Sequence, residues 1–108
     1  MKFIPKDHWG NYLWGFIHTI TIIDYNDEDN EKENRNAIGI LKELKDCIPC
    51  PKCRDTYKVM LEKLDDIDLQ RPMILFFWSV DLHNIVNRKL DKQLWSYEKA
   101  LLKWSKTY

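Results

Sequence analysis

Apolar residues recur at steps of three and four along most of the chain, the spacing of helices that bury one face. The pattern predicts a first helix from about Pro5 to Ile23, with Trp9, Leu13, Phe16 or Ile17, and Ile20 turned inward. A second runs from about Glu31 to Lys45 on Ala37, Ile38, Leu41 and Leu44, and the Ile48-Pro49 break follows it. A third starts at Pro51 and carries Tyr57, Met60, Leu61 and Leu64; residues 65–68 read as a turn. A fourth runs from about Pro72 to Leu90. Pro51 and Pro72 both suit a first helical position, where a missing N–H costs nothing. After the short connector Asp91-Lys92-Gln93, a last helix is expected from about Leu94 to Lys106, with Trp95, Leu101 or Leu102, and Trp104 on its apolar side. No run alternates as a strand does, and there are no repeats. The expected fold class is all-α, a small helical bundle with short connections forming one domain over residues 1–108.

Composition narrows the function. The formal net charge is zero over 108 residues, so the basic footprint of a nucleic-acid binder is missing. No apolar stretch approaches the roughly 18 residues that a membrane-spanning helix needs. The amino-terminal residues lack the apolar core of a signal peptide, and a cytosolic start is expected. Five Trp, five Tyr and four Phe are many for this length. Such rings add buried area to a small core, and they can also wall a flat aromatic ligand. The acidic segment 24–31 lacks the glycine and terminal glutamate of a calcium loop and reads as solvated.

All three cysteines fall in Cys47-Ile48-Pro49-Cys50-Pro51-Lys52-Cys53, which makes two overlapping C-x-x-C pairs. Such a pair can exchange disulfides, or it can ligate a metal. With Pro51 first in its helix, Cys50 becomes the N-cap and Cys53 falls in the first turn. Both sulfurs then lie at the positive end of the helix dipole beside Lys52 and Arg54, an environment that favours thiolate and leans toward redox chemistry. The metal alternative would draw a fourth ligand from His8, His18 or His83. An inert cluster of buried cysteines, or a non-catalytic interaction bundle, is the bland alternative.

Two further groups stand out. Gly10, Trp14 and His18 follow one another at four-residue steps on one face of the first helix, and a helical glycine invites a close approach to the backbone. Helix packing and a satisfied core histidine would explain them as well. On the fourth helix His83, Asn84 and Asn87 are poor core residues unless partners satisfy them. A polar ligand would do so, and so would a helix end meeting solvent.

Taken in order, W-G-x-x-x-W-x-x-x-H (Trp9, Gly10, Trp14, His18), P-C-x-x-C (Pro49, Cys50, Cys53) and H-N-x-V-N-x-K-L (His83, Asn84, Val86, Asn87, Lys89, Leu90) resemble the Erv/ALR family of FAD-linked sulfhydryl oxidases. The resemblance spans about residues 5 to 105. It implies a four-helix bundle with a short fifth helix, FAD held noncovalently at the bundle end, and a homodimer. The implied activity is disulfide formation in thiol proteins, with electrons passing from a Cys50–Cys53 pair through FAD to dioxygen and hydrogen peroxide formed. By the same likeness Cys53 lies next to the flavin, and Gly10, Trp14 and His18 contact the flavin or adenine. His83, Asn84, Asn87 and Lys89 serve the adenosine and pyrophosphate side, and Val86 and Leu90 also contact the cofactor. Lys6 supplies a basic contact, and Trp95 and Tyr97 supply aromatic contacts from the last helix. No metal is implied. Cellular members carry a second, shuttle C-x-x-C and a further structural disulfide. This sequence shows neither, and so is similar to the short oxidases of large cytoplasmic DNA viruses, which act on separate thiol proteins. Infected-host cytoplasm or the virion is the implied location, or the mitochondrial intermembrane space if the chain is cellular. Cys47 is extra: it could attack Cys50, act as a third redox thiol, or fill space.

Overall fold

A computed structural model describes residues 6–22, 30–48, 50–71 and 73–104, with the side chains of residues 6–9, 11 and 30 outside the description. The expectations for Lys6 as a contact, for Trp9 as an inward-turned residue, for the acidic segment 24–29, and for Pro49 and Pro72 fall outside it. Five α-helices follow in order: α1 (Lys6–Thr21), α2 (Asn30–Glu43), α3 (Pro51–Glu62), α4 (Ile74–Lys89) and α5 (Tyr97–Trp104). Turns of 3-10 helix at Leu44–Asp46 and Lys63–Asp66 extend α2 and α3. There is no strand among the described residues, and no helix there is long and apolar enough to cross a membrane. The fold is all-α.

α4 is the central element. Its buried residues Leu75, Phe76, Trp78, Ser79, Val80, Leu82 and Asn87 point to several sides, because its neighbours surround it. α1 runs antiparallel to it: Trp14 and His18 lie against His83, and Thr21 against Ser79. The larger core joins Ile17, Leu41, Tyr57, Met60, Leu64, Leu75, Trp78 and Leu82. A smaller one joins Met73, Phe76, Val80 and Ala100 under α5. Of the alternatives left by periodicity in α1, Ile17 is the buried one, and Phe16 is exposed.

The expected ends shift by a few residues, each for a local reason. α4 starts at Ile74 and not at Pro72; Met73 precedes it in the left-handed region (φ 67°) with its side chain buried. Such a backbone costs about 1–2 kcal/mol and is held by the packing around it. α5 starts at Tyr97, not Leu94, because Ser96 caps it: the Ser96 hydroxyl accepts from the Lys99 N–H at 3.1 Å. Trp95 therefore lies in the connector.

Polar side chains tie the helices together at their ends. The Trp78 indole donates to the Met60 carbonyl at 2.8 Å. The buried Tyr57 hydroxyl donates to the Leu41 carbonyl in the last turn of α2, which ties α3 to α2. Burial pushes the Tyr57 phenol up, so it stays a donor. Tyr57→Phe removes that buried bond, and a loss of about 1–3 kcal/mol is expected, read as a melting temperature lower by roughly 5–15 °C. An unchanged melting temperature would show that the bond contributes nothing.

Candidate functional site

The α2–α3 junction delivers the cysteines. Cys50 is the N-cap of α3 in extended conformation (φ −107°, ψ 118°), with Pro51 at the first helical position. The Cys53 N–H donates to Cys50 Sγ at 3.3 Å, and the Arg54 N–H to the Cys50 carbonyl at 2.9 Å. The sulfur thus takes the place that an oxygen fills in an ordinary cap. Both residues are half-buried, whereas Cys47 is exposed and its thiol faces the Glu43 carbonyl at 3.8 Å. Arg54 is half-buried, with its Nε unpartnered.

Cys53 opens onto a cavity of about 490 Å³ between α1, α3 and α4. That volume suits a small-molecule site. Leu13, Ile17, Ile48, Tyr57, Leu82 and Val86 make its apolar walls, Trp14 adds a ring, and His83, Asn87 and Lys92 bring the polar groups. Gly10 also lines it, and a Cβ built there meets nothing within 4 Å, so the backbone of α1 faces open space. Of the residues implicated by the sequence, Gly10, Trp14, Cys53, His83, Val86, Asn87 and Leu90 come together here.

Others go elsewhere. His18 is buried, and both its ring nitrogens are bonded within the protein: Nδ1 to Ser79 Oγ at 2.9 Å and Nε2 to His83 Nδ1 at 3.0 Å. It lines a small gap shared with His83, Trp95, Lys103 and Trp104. The Asn84 amide is bonded to the Trp95 backbone, giving to its carbonyl at 2.7 Å and taking from its N–H at 2.8 Å. Asn84 therefore pins the connector and does not face the cavity. Lys89 donates to Thr56 at 2.6 Å, and Tyr97 donates to Asp81 at 2.6 Å beside Phe77. Asn84→Leu removes both connector bonds, so amide exchange at Trp95 is expected to speed up by about tenfold or more, with the core amides unchanged. Equal exchange in the two proteins would show that the pin is idle.

Lys92 is the residue that motif matching missed. α4 ends in a left-handed Asp91 (φ 56°), and the Asp91 and Lys92 amides return to the Arg88 and Asn87 carbonyls at 3.2 and 2.8 Å. This Schellman turn swings Lys92 back over the cavity. A cation two residues past a helix end was the available signal, but an Asp in place of the usual glycine hides the turn.

Trp14 stacks on His83 with centroids 3.8 Å apart and planes within 9°. His18 is held down to about 3 by burial, then by His83 and Lys103. Burial, with Lys103 and Lys92, brings His83 to about 4. Both are neutral near pH 7. As pH falls through 6.5 toward these values, the unfolded chain takes up protons that the folded one refuses. Stability is therefore expected to be full above about pH 6.5 and to decline as pH drops from there to 4, measured as the denaturant midpoint. A flat midpoint over that range would contradict buried neutral histidines.

The donor set fits a flavin dinucleotide. Flat rings need apolar and aromatic walls, a diphosphate needs a cation such as Lys92, and the glycine leaves the helix backbone open to a ring edge. Among the described residues no three His, Cys, Asp or Glu side chains gather as metal ligands.

Comparison with known proteins agrees. The sequence profile of the Erv1 / Alr family matches residues 11–108. The probable FAD-linked sulfhydryl oxidase of Acanthamoeba polyphaga mimivirus is 30% identical over 96% of this chain and 73% of its own length. The FAD-linked sulfhydryl oxidase of African swine fever virus (a Kenyan pig isolate) is 31% identical over 89% and 85%. That of rice is 25% identical over 95% of this chain and 52% of its own. No solved structure matches.

Proposed function

We propose, from the premise that this chain belongs to the Erv1 / Alr family, that it is an FAD-dependent thiol oxidase that forms disulfides in partner proteins, with Cys50 and Cys53 as its redox pair. The observation that carries the reading is Cys53 on the wall of the glycine-floored, aromatic cavity, one turn from Cys50. Cys50, at the mouth of α3, receives the substrate. A substrate thiolate attacks Cys50 Sγ of the Cys50–Cys53 disulfide, and that S–S bond breaks with Cys53 leaving as thiolate. The substrate's second thiol then attacks its own bonded sulfur and releases Cys50. The substrate has lost two electrons and two protons, and the cysteine pair has gained the electrons. Negative charge on either sulfur is stabilised by the N-terminus of α3, which speeds both exchanges. FAD held in the cavity would supply the two-electron acceptor through which the Cys50–Cys53 disulfide is re-formed, with dioxygen as the final acceptor and hydrogen peroxide as its product.

The remaining chemistry belongs to the chain. Trp14, stacked on His83, makes one wall. Asn87 and Lys92 provide polar and cationic groups for the sugar and diphosphate. Gly10, Val86 and Leu90 set the shape. Asn84 and Trp95 act from outside by holding the connector that leads to Trp104. Lys89 and Tyr97 lock α4 to α3 and α5. The exposed pair Tyr12 and Phe16 on α1 supports a homodimer through that face. The viral relatives support a place in the cytoplasm of an infected cell. Dithiothreitol added to the purified protein in air, with an oxygen electrode, tests the reading. Oxygen uptake matched by peroxide is expected; no uptake by protein that holds flavin would remove dioxygen as acceptor.

A further inference from the structure

We infer that Ser79 sets the tautomer of a two-histidine relay, so that His83 offers Nε2 to the bound cofactor as a hydrogen-bond acceptor. The inference rests on the cofactor reading above and adds a positioning residue to it. The Ser79 hydroxyl has one proton and lies 2.6 Å from the Phe76 carbonyl oxygen, which can only accept. With that proton committed, Ser79 Oγ can only accept from His18 Nδ1 at 2.9 Å. Ser79 and His18 are 0% and 1% exposed, so water cannot stand in for either partner. Thr21 leaves the assignment intact. Its hydroxyl lies 2.9 Å from the Ile17 carbonyl and 3.3 Å from Ser79 Oγ, and it can give its own proton to either.

His18, carrying its proton on Nδ1, keeps a lone pair on Nε2. That atom is 3.0 Å from His83 Nδ1, which must therefore donate. His83 is left with an unprotonated Nε2. Its ring lines both the cavity and the small gap that Lys103 enters, and the stacked Trp14 fixes its plane. Both rings are held neutral by burial, so each carries one proton and the chain of donors has one direction. An acceptor there selects an N–H or O–H donor: the ring imide, the adenine amine or a ribityl hydroxyl of the dinucleotide. It opposes phosphate oxygens, which only accept and which Lys92 serves instead.

Ser79→Ala removes the acceptor for the His18 Nδ1–H. The pair can then reverse, with His18 Nε2–H donating to His83 Nδ1, and the cofactor meets an N–H in place of a lone pair. The test combines long-range ¹⁵N spectra of the histidines with the FAD dissociation constant, on wild type, Ser79→Ala and Ser79→Thr. Wild type is expected to show Nδ1–H on both rings. Ser79→Ala is expected to reverse them and to weaken FAD binding by about tenfold or more, and Ser79→Thr to restore both properties. The wild-type spectrum decides the assignment even if a variant does not fold: an Nε2–H on either ring overturns it. Weaker binding in Ser79→Ala without a change of tautomer would make Ser79 a packing residue and also overturn it. Wild type that takes up no FAD yet shows Nδ1–H rings would fail the cofactor reading, and with it the ligand half of this inference, while the relay itself stood.

Discussion

Cys53→Ser is expected to lower thiol oxidation to background, a fall on the order of a thousandfold or more, as when a covalent catalytic group is removed. The serine oxygen cannot form or release a disulfide, and no other sulfur lies on the cavity wall among the described residues. Structure should survive. Cys53 sits in the first turn of α3, and what it gives the cap is its backbone N–H to Cys50 Sγ, which a serine also has. Bound flavin and melting temperature should stay at wild-type values. Measured turnover near wild type in a flavin-loaded Cys53→Ser protein would show that Cys50 pairs with another sulfur, with Cys47 the first to test.

The second large effect is expected at Gly10, where stability and cofactor binding should move in opposite directions. A Cβ at this α1 position meets no atom of the described residues within 4 Å, and replacing a helical glycine by alanine stabilises by up to about 1 kcal/mol. Gly10 lines the cavity, so a side chain there is expected to take space from the cofactor. Gly10→Ala should therefore raise the melting temperature of the flavin-free protein while weakening FAD. Gly10→Phe should fill the space and leave a folded, colourless protein. Equilibrium dialysis against FAD and thermal melts of the flavin-free form read the two effects separately. Full flavin retention by Gly10→Phe would place the cofactor elsewhere. Gly15 provides the contrast, since a Cβ there touches only the Trp104 ring at 3.8 Å, in ordinary contact.

The periodicity of apolar residues was enough to reveal the helices, because each buries one face against α4 or beside it. Tyr57, Met60, Leu61 and Leu64 are all buried as expected. Helix ends were less legible. Ser96 outcompetes the apolar Leu94-Trp95 as the start of α5, and only the cap hydrogen bond reveals it. Cys50 and Pro51 were readable, since proline's geometry leaves little choice. In the site, residue types were clearer than partners. His83 and Asn84 look equivalent in sequence, yet one faces the cavity and the other holds the Trp95 backbone. Adjacent helical positions point about 100° apart, and nothing local says which side carries the ligand. Ser79 is invisible in sequence for a similar reason. A serine on an apolar helix acquires meaning only when His18 arrives from a residue 61 positions away.

The central claim is that the cysteine pair and a bound flavin form one electron path. Anaerobic titration of the purified protein with dithiothreitol, followed in the visible flavin band, tests it most directly. A yellow protein whose band bleaches in stoichiometric proportion to added dithiol, and no longer does so in Cys53→Ser, is the expected result. A colourless protein, or a flavin band that dithiol leaves unchanged in the wild type, would contradict the account.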